Sequence, residues 1–307
     1  MRKELLVAAG SIGQMERYIE AGANAVLIGE ARFGMRLPGD IREEEIAEAI
    51  AFAHRLGAKA YVSVNKLFRN EELPALPGYL KTLAEAKADA VVFSDPAVLL
   101  NVREAAPELV LHWNAEMTGT NSASSAYWGR RGAVRSVLAR ELNEEEILDL
   151  KGKSEMEIQV QVHGMTNIYH SQRNLLQSYM DHLGREARIE QGPDQGRYLV
   201  EAERPDEKLP VYEDGNGTHV MSADDIALLE PLAELLNAGV DSFYIETLLK
   251  PEDYNLTAIK TYRQAIEAWE QDPEGYECRE EWLEALQDQQ PSDRELSFGF
   301  LYKEQVY

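Results

Sequence analysis

Among its 307 residues the sequence has one cysteine, Cys278. A single thiol excludes an internal disulfide, and cysteine alone cannot build a zinc or iron–sulfur site within the chain. Disulfide-free composition is compatible with a reducing cytoplasm, the expected location. Cationic residues are also scarce: 31 Lys and Arg face 54 Asp and Glu, a net charge of −23. So acidic a chain has no broad basic face for a phosphate backbone. Any contact with nucleic acid needs cations from a partner, or from a local patch such as Arg130, Arg131 and Arg135. No apolar run approaches the ~18 residues that span a bilayer, so no membrane association is expected. The opening MRKELLVAAG pairs a basic start with a short apolar run, but Glu4 interrupts it, and a first buried strand is the better reading than a leader.

Motifs that announce common chemistries are missing too. There is no His-Glu-x-x-His zinc spacing, no Gly-x-Ser-x-Gly elbow, no Gly-x-Gly-x-x-Gly turn and no Gly-Lys-Ser phosphate loop. The sequence therefore offers no recognisable nucleophile for peptide hydrolysis.

What the chain does have is a repeat of a short apolar strand, a turn and a segment of helical period. Strands are predicted at 5–9, 25–28, 60–64, 90–93, 108–113, 135–139, 157–162 and 242–245. Helices are predicted at 13–21, 42–56, 79–88, 122–130, 223–238 and 254–269, with Pro96 opening another and Asn143 with Glu146 as a capping box. Asp224 and Asp225 sit in the first turn of the 223–238 helix in this reading. Eight strand–helix units with continuously apolar strands predict an α/β fold, a closed (β/α)8 barrel of the TIM type. The barrel is expected over 1–270, with an insertion at about 165–221 after strand seven. That insertion carries a hairpin from 197–202 and 209–212 and the turn Asp214-Gly215-Asn216-Gly217. A C-terminal extension over 271–307 is expected to pack back through Phe298 to Tyr302, with a helix at 280–286.

In such a barrel the C-terminal strand ends line one mouth. The polar residues at those ends are Glu30, Arg36, Asn65, Asp95, Asn114, Glu116, Arg140, Glu141, His163 and Glu246. Carboxylates and arginines gathered there can bind an anion or move protons, or can pair with one another to hold loops in place. His163, Glu116 and Glu246 are the candidate catalytic groups. Glu30, Arg36, Asn65, Asn114, Arg140 and Glu141 are the candidate substrate-binding groups.

Several stretches in this order resemble one family. They are ELLVAAG, GANAVLIG with FGMR, VSVNKLF, FSDPAVL, RSVLARELNEEEI, VQVHG, and AGVDSFYIETLLKPEDY with TYRQAIEAW. Together they resemble the peptidase U32, or collagenase-like protease, family along nearly the whole chain. The resemblance implies roles in oxygen-independent or prephenate-linked hydroxylation, including formation of 5-hydroxyuridine at the wobble position of tRNA. It also implies a 4Fe–4S cluster held by four cysteines. Here the positions of the first two are Asn167 and Asn174, with a third near Gln191 and a fourth near Ala227. Gln159 and Gln161 replace a family glutamate and phenylalanine, and Ala8 replaces an early proline. Asparagine is a poor ligand for a cluster that wants thiolates.

The resulting expectation is a chain with no cluster of its own, working beside a cysteine-bearing U32 paralogue that holds it. Transfer RNA would be reached through that complex. Prephenate would be a small co-substrate bound by Arg36 and Arg140, with Glu116, Glu141 and Glu246 orienting them. The alternatives are a U32-type hydrolase and a non-catalytic scaffold subunit.

Overall fold

A computed structural model describes residues 2–114, 119–186, 188–193 and 196–304. Among these residues, eight parallel strands close into a barrel. They are β1 (Glu4–Ala8), β2 (Ala25–Ile28), β3 (Lys59–Val64), β4 (Ala90–Phe93), β5 (Leu111–Asn114), β6 (Ala133–Val137), the first half of β7 (Glu157–Ser171) and β11 (Ser242–Ile245). Closure comes from β11, which pairs in parallel with both β1 and β7. The apolar strand runs follow from burial on both faces. Leu5 and Val7 of β1 point into the helix layer. Leu6 and Ala8 alternate with them and fill the lumen with Tyr61, Val92 and Tyr244.

The surrounding helices are α1 (Ile12–Glu20), α2 (Glu43–Arg55), α3 (Leu76–Glu85), α4 (Pro96–Ala105), α5 (Ser122–Gly129), α6 (Glu144–Lys153), α8 (Leu232–Asn237) and α9 (Glu252–Gln271). Their start signals work as the sequence suggests. Asp95 caps α4 through the Ala97 amide at 2.8 Å with Pro96 at the first position. Asn143 and Glu146 exchange both bonds of the capping box at 3.0 Å.

The floor of the barrel carries a buried charge group. The Arg135 side chain, 2% exposed, pairs with Glu4 and reaches Glu157 at 2.7 Å, while the Tyr61 hydroxyl donates to Glu4 at 2.6 Å. Arg135 is therefore no part of a cationic surface patch. It lies on a strand whose alternate positions face the lumen, and two carboxylates consume its charge.

The insertion is built differently from the sequence expectation. β7 does not stop at Val162 but runs 15 residues to Ser171. Its outer half pairs antiparallel with β10 (Gly217–Ala227), which pairs with β9 (Arg204–Asp214), which pairs with β8 (Tyr198–Glu201). A short helix, α7 (Leu175–His182), follows β7. The expected hairpin is present as β8 and β9, and Asp214 to Gly217 makes the next turn. The helix expected over 223–238 shrinks to α8, and 223–227 is strand. Tertiary contact overrides the local helix-start signal there: Asp225 is fully buried against Lys250 and Arg294.

Beyond α9, α10 (Glu280–Gln289) buries Trp282 and Leu286, and β12 (Leu296–Ser297) adds to β10. In the stretch expected to pack back, Leu301 is buried, whereas Phe298, Phe300 and Tyr302 remain exposed.

Candidate active site at the barrel mouth

The alternation of β7 and β11 sends Gln161, Tyr244 and Glu246 toward the mouth. Arg140, just past β6, donates from Nε to the Gln161 side-chain oxygen. The Gln161 amide donates in turn to the Met165 and Gly164 carbonyls at 3.0 and 3.2 Å. Glu246 is held by the Tyr244 hydroxyl and the Leu248 amide, each at 3.0 Å. Burial pushes its carboxyl upward, and the fields of Arg140 and Arg36 pull it back only in part. Arg140 and Arg36 thus lie close enough to Glu246 for their charge to be felt at its carboxyl.

Two backbone features fix this arrangement. Gly164 has φ +99°, and a Cβ there would lie 2.2 Å from the Glu246 carbonyl oxygen. Only glycine lets β7 bend this close to the end of β11. Arg36 takes φ 54° on the loop after β2, an uncommon conformation for a residue with a side chain. The Asn65 side-chain oxygen, accepting from the Met35 amide at 2.8 Å, holds that loop.

The other expected residues lie further from this centre. Asn114 ends β5, with its carbonyl accepting from the Ser94 hydroxyl at 3.3 Å. Glu30 sits on the rim; burial raises its carboxyl, Arg32 lowers it, and Asp40 and Glu43 raise it again. Its Oε2 is buried without a hydrogen-bond partner among the described residues. Glu141 is exposed beside Arg140. Asp95 supports the rim through its cap on α4 and the Phe68 amide at 3.0 Å. Glu116 lies outside the described residues.

His163 is not at the mouth. Its side chain is fully buried in the helix layer, with Nε2 2.9 Å from the Tyr254 hydroxyl and its ring against Tyr254 and Tyr262 of α9. Burial drives its pKa down to about 4, with Asp225 opposing and Lys250 reinforcing. The local register shift between β11 and β7 at this residue turns it outward, which a strand-end count does not reveal.

The insertion covers one side of the mouth. Asn216, at the β9–β10 turn, donates to the Gly34 and Ala31 carbonyls at 3.3 and 3.4 Å. Behind it His170, His219 and Tyr212 stack with centroids 4.7 Å apart, and His219 bonds Asp214 at 3.0 Å. A cavity of ≈ 80 Å³ remains between Met35, Lys66, Glu72, His170 and Asn216. Sequence reasoning does not assign Gln161, Tyr244, Asn216 or this histidine pair to the mouth. The polar alternation QVQV was the available signal for Gln161.

The stretch implied to hold a 4Fe–4S cluster is filled by other chemistry. The Asn167 amide donates to the Tyr169 and Val220 carbonyls at 3.1 and 3.2 Å. Asn174 is the residue before α7. Glu213, 1% exposed, accepts from the Leu176 amide at 2.7 Å and the Thr218 hydroxyl at 2.8 Å. A cavity of ≈ 490 Å³ is lined by Asn174, Gln191, Arg185 and Glu213. Amide and carboxylate donors do not fit a group that requires soft thiolates. Cys278 lies between α9 and α10, and burial raises its thiol.

Relatives match the sequence over the whole chain. Over 308 residues the chain is 46% identical to the tRNA hydroxylation protein P2 of Bacillus subtilis strain 168, covering 100% of this chain and 99% of that one. It is 31% identical to the tRNA hydroxylation protein P1 of the same organism, covering 100% of this chain and 74% of the relative. A solved U32 peptidase superposes with a TM-score of 0.50 at 16% identity, covering 80% of this chain and 92% of that one, which supports the fold alone. The model of peptidase family U32 matches residues 10–306, and the chain belongs to that family.

Proposed function

We propose that this chain is the cluster-free subunit of a tRNA hydroxylation system that makes 5-hydroxyuridine at the wobble position. The observation that carries the reading is 46% identity, end to end, to a tRNA hydroxylation protein. Its partner is a cysteine-bearing U32 paralogue that holds the 4Fe–4S cluster; that relatives named P1 and P2 occur in one organism supports such a pairing. Transfer RNA is engaged through the complex, because a net charge of −23 repels a phosphate backbone.

Within this chain the mouth binds a small carboxylate such as prephenate. Arg36 and Arg140 supply the charge, Gln161 fixes the Arg140 fork, and Glu246, its carboxyl raised by burial, holds or releases a proton beside the bound anion. Glu116 is a second candidate for proton transfer. Glu30, Asn65, Asn114 and Glu141 shape the rim.

The test is complementation. In a strain lacking this gene and its paralogue, 5-hydroxyuridine-derived nucleosides in tRNA are measured by mass spectrometry. Both genes together restore them; the paralogue with the Arg140→Gln chain restores less. Restoration by neither combination refutes the reading.

A further inference from the structure

Away from the lumen, a second charged group lies where the C-terminal segment crosses the insertion. Asp225 on β10 is fully buried and pairs with Lys250, whose side chain is 1% exposed, and with Arg294 Nη2 at 2.8 Å, its side chain 8% exposed. Gln290 donates to the same carboxylate at 2.6 Å. Neighbouring carboxylates are engaged elsewhere: Asp224 by the Ser297 hydroxyl, and Asp293 by Lys208 at 3.0 Å. Two buried cations therefore share one carboxylate. Arg294 Nη2 also donates to the Ser222 and Asp224 carbonyls at 3.1 Å, whereas Nη1 is buried with no hydrogen-bond partner among the described residues.

Beside this group is a cavity of ≈ 140 Å³ whose wall includes Arg294, Lys250, Arg197, Tyr212, Pro251 and the Lys208-paired Asp293. We propose that this cavity binds a small anion carrying a carboxylate or a phosphate, with Arg294 Nη1 as its principal donor and Lys250 beside it.

The physical reason is charge and hydrogen-bond balance. A buried guanidinium with a free donor is costly unless an acceptor reaches it, and a site with excess positive charge favours an anion as that acceptor. Pro251 precedes α9, and no side chain caps that helix. Glu252 and Asp253 in its first turn offset the field of that terminus, so the attraction for an anion comes from Arg294 and Lys250. An anion there would tie the β8–β9 hairpin, the loop after β11 and the C-terminal segment into one unit, since all three contribute wall residues.

The test is thermal unfolding of the full chain with rising malonate or inorganic phosphate, at an ionic strength held constant with chloride. A saturable rise in Tm with malonate alone identifies a carboxylate site, and with phosphate alone a phosphate site. A rise with both identifies the shared chemistry. Arg294→Lys keeps the charge but removes the free donor, and weakens the midpoint concentration by about tenfold or more. Pro291→Trp, at an exposed wall position, fills the cavity and does the same without touching the ion group. Arg140→Gln in the lumen leaves the rise in place. No saturable rise with either anion, a rise that survives both wall variants, or one abolished by Arg140→Gln overturns the proposal.

Discussion

Arg135 and Glu4 meet across the floor of the barrel, 131 residues apart in the chain, with the Tyr61 hydroxyl closing the group. Neither residue lies near the mouth, so the pair is a stability feature. Replacing Arg135 by Met leaves the buried Glu4 carboxylate with only the exposed Lys59 ammonium, 3.6 Å away, as a cation. The expected cost is about 3–5 kcal/mol, measured as the urea unfolding free energy. The double variant Arg135→Met with Glu4→Gln recovers part of that loss, and a double variant no more stable than the single one contradicts the assignment.

His163 makes stability depend on pH. In the unfolded chain its imidazole titrates near 6.5, but in the fold burial holds it down to about 4. Between those values the unfolded state binds more protons, so stability falls as pH drops below 6.5 and the loss levels off below 4. The full span corresponds to about 3 kcal/mol. His163→Phe, which keeps the ring packing against Tyr254 and Tyr262, flattens this acid limb in urea titrations between pH 7 and 4.5. An unchanged slope argues against the assignment.

The cover over the mouth hangs on few bonds. Asn216→Ala removes the donors to the Ala31 and Gly34 carbonyls while leaving the turn's Asp214 acceptor. Loss of about 1 kcal/mol accelerates hydrogen exchange of the 211–220 amides about fivefold, with the barrel strands unaffected. Equal acceleration in the barrel means that the insertion and barrel open together.

Purified anaerobically, the chain is expected to contain no stoichiometric iron or sulfide. Converting Asn167 and Asn174 to Cys leaves it so, because Gln191 and Ala227 still supply no thiolate. Iron and sulfide assays decide the point, and a stoichiometric cluster in the wild-type chain overturns the division of labour.

The barrel was legible because parallel strands buried on both faces read as unbroken apolar runs, and their ends fell where glycine and polar residues begin. The nearness of Arg36 and Arg140 to Glu246 follows from the same layout, since strand ends share one rim. β10 was not, because Asp224 and Asp225 suit the first turn of a helix, and only Lys250 and Arg294 reveal that Asp225 must be buried. Nor was the direction of His163 legible, because one register shift against β11 reverses which side it faces. Arg135 looked like a surface cation because its partner Glu4 is remote in sequence.

β7 leaves the barrel wall at Gly164 and continues, without a break in strand, as the first strand of the insertion. The insertion is therefore an extension of the barrel sheet, and its β9–β10 turn is tied back to the loop after β2 through Asn216. At Gly164 the backbone of β7 passes so near the Glu246 carbonyl that any side chain there would force the two strand ends of the mouth apart. By the same geometry, the β8–β9 hairpin at the far end can lengthen or change its surface without disturbing the register of the barrel.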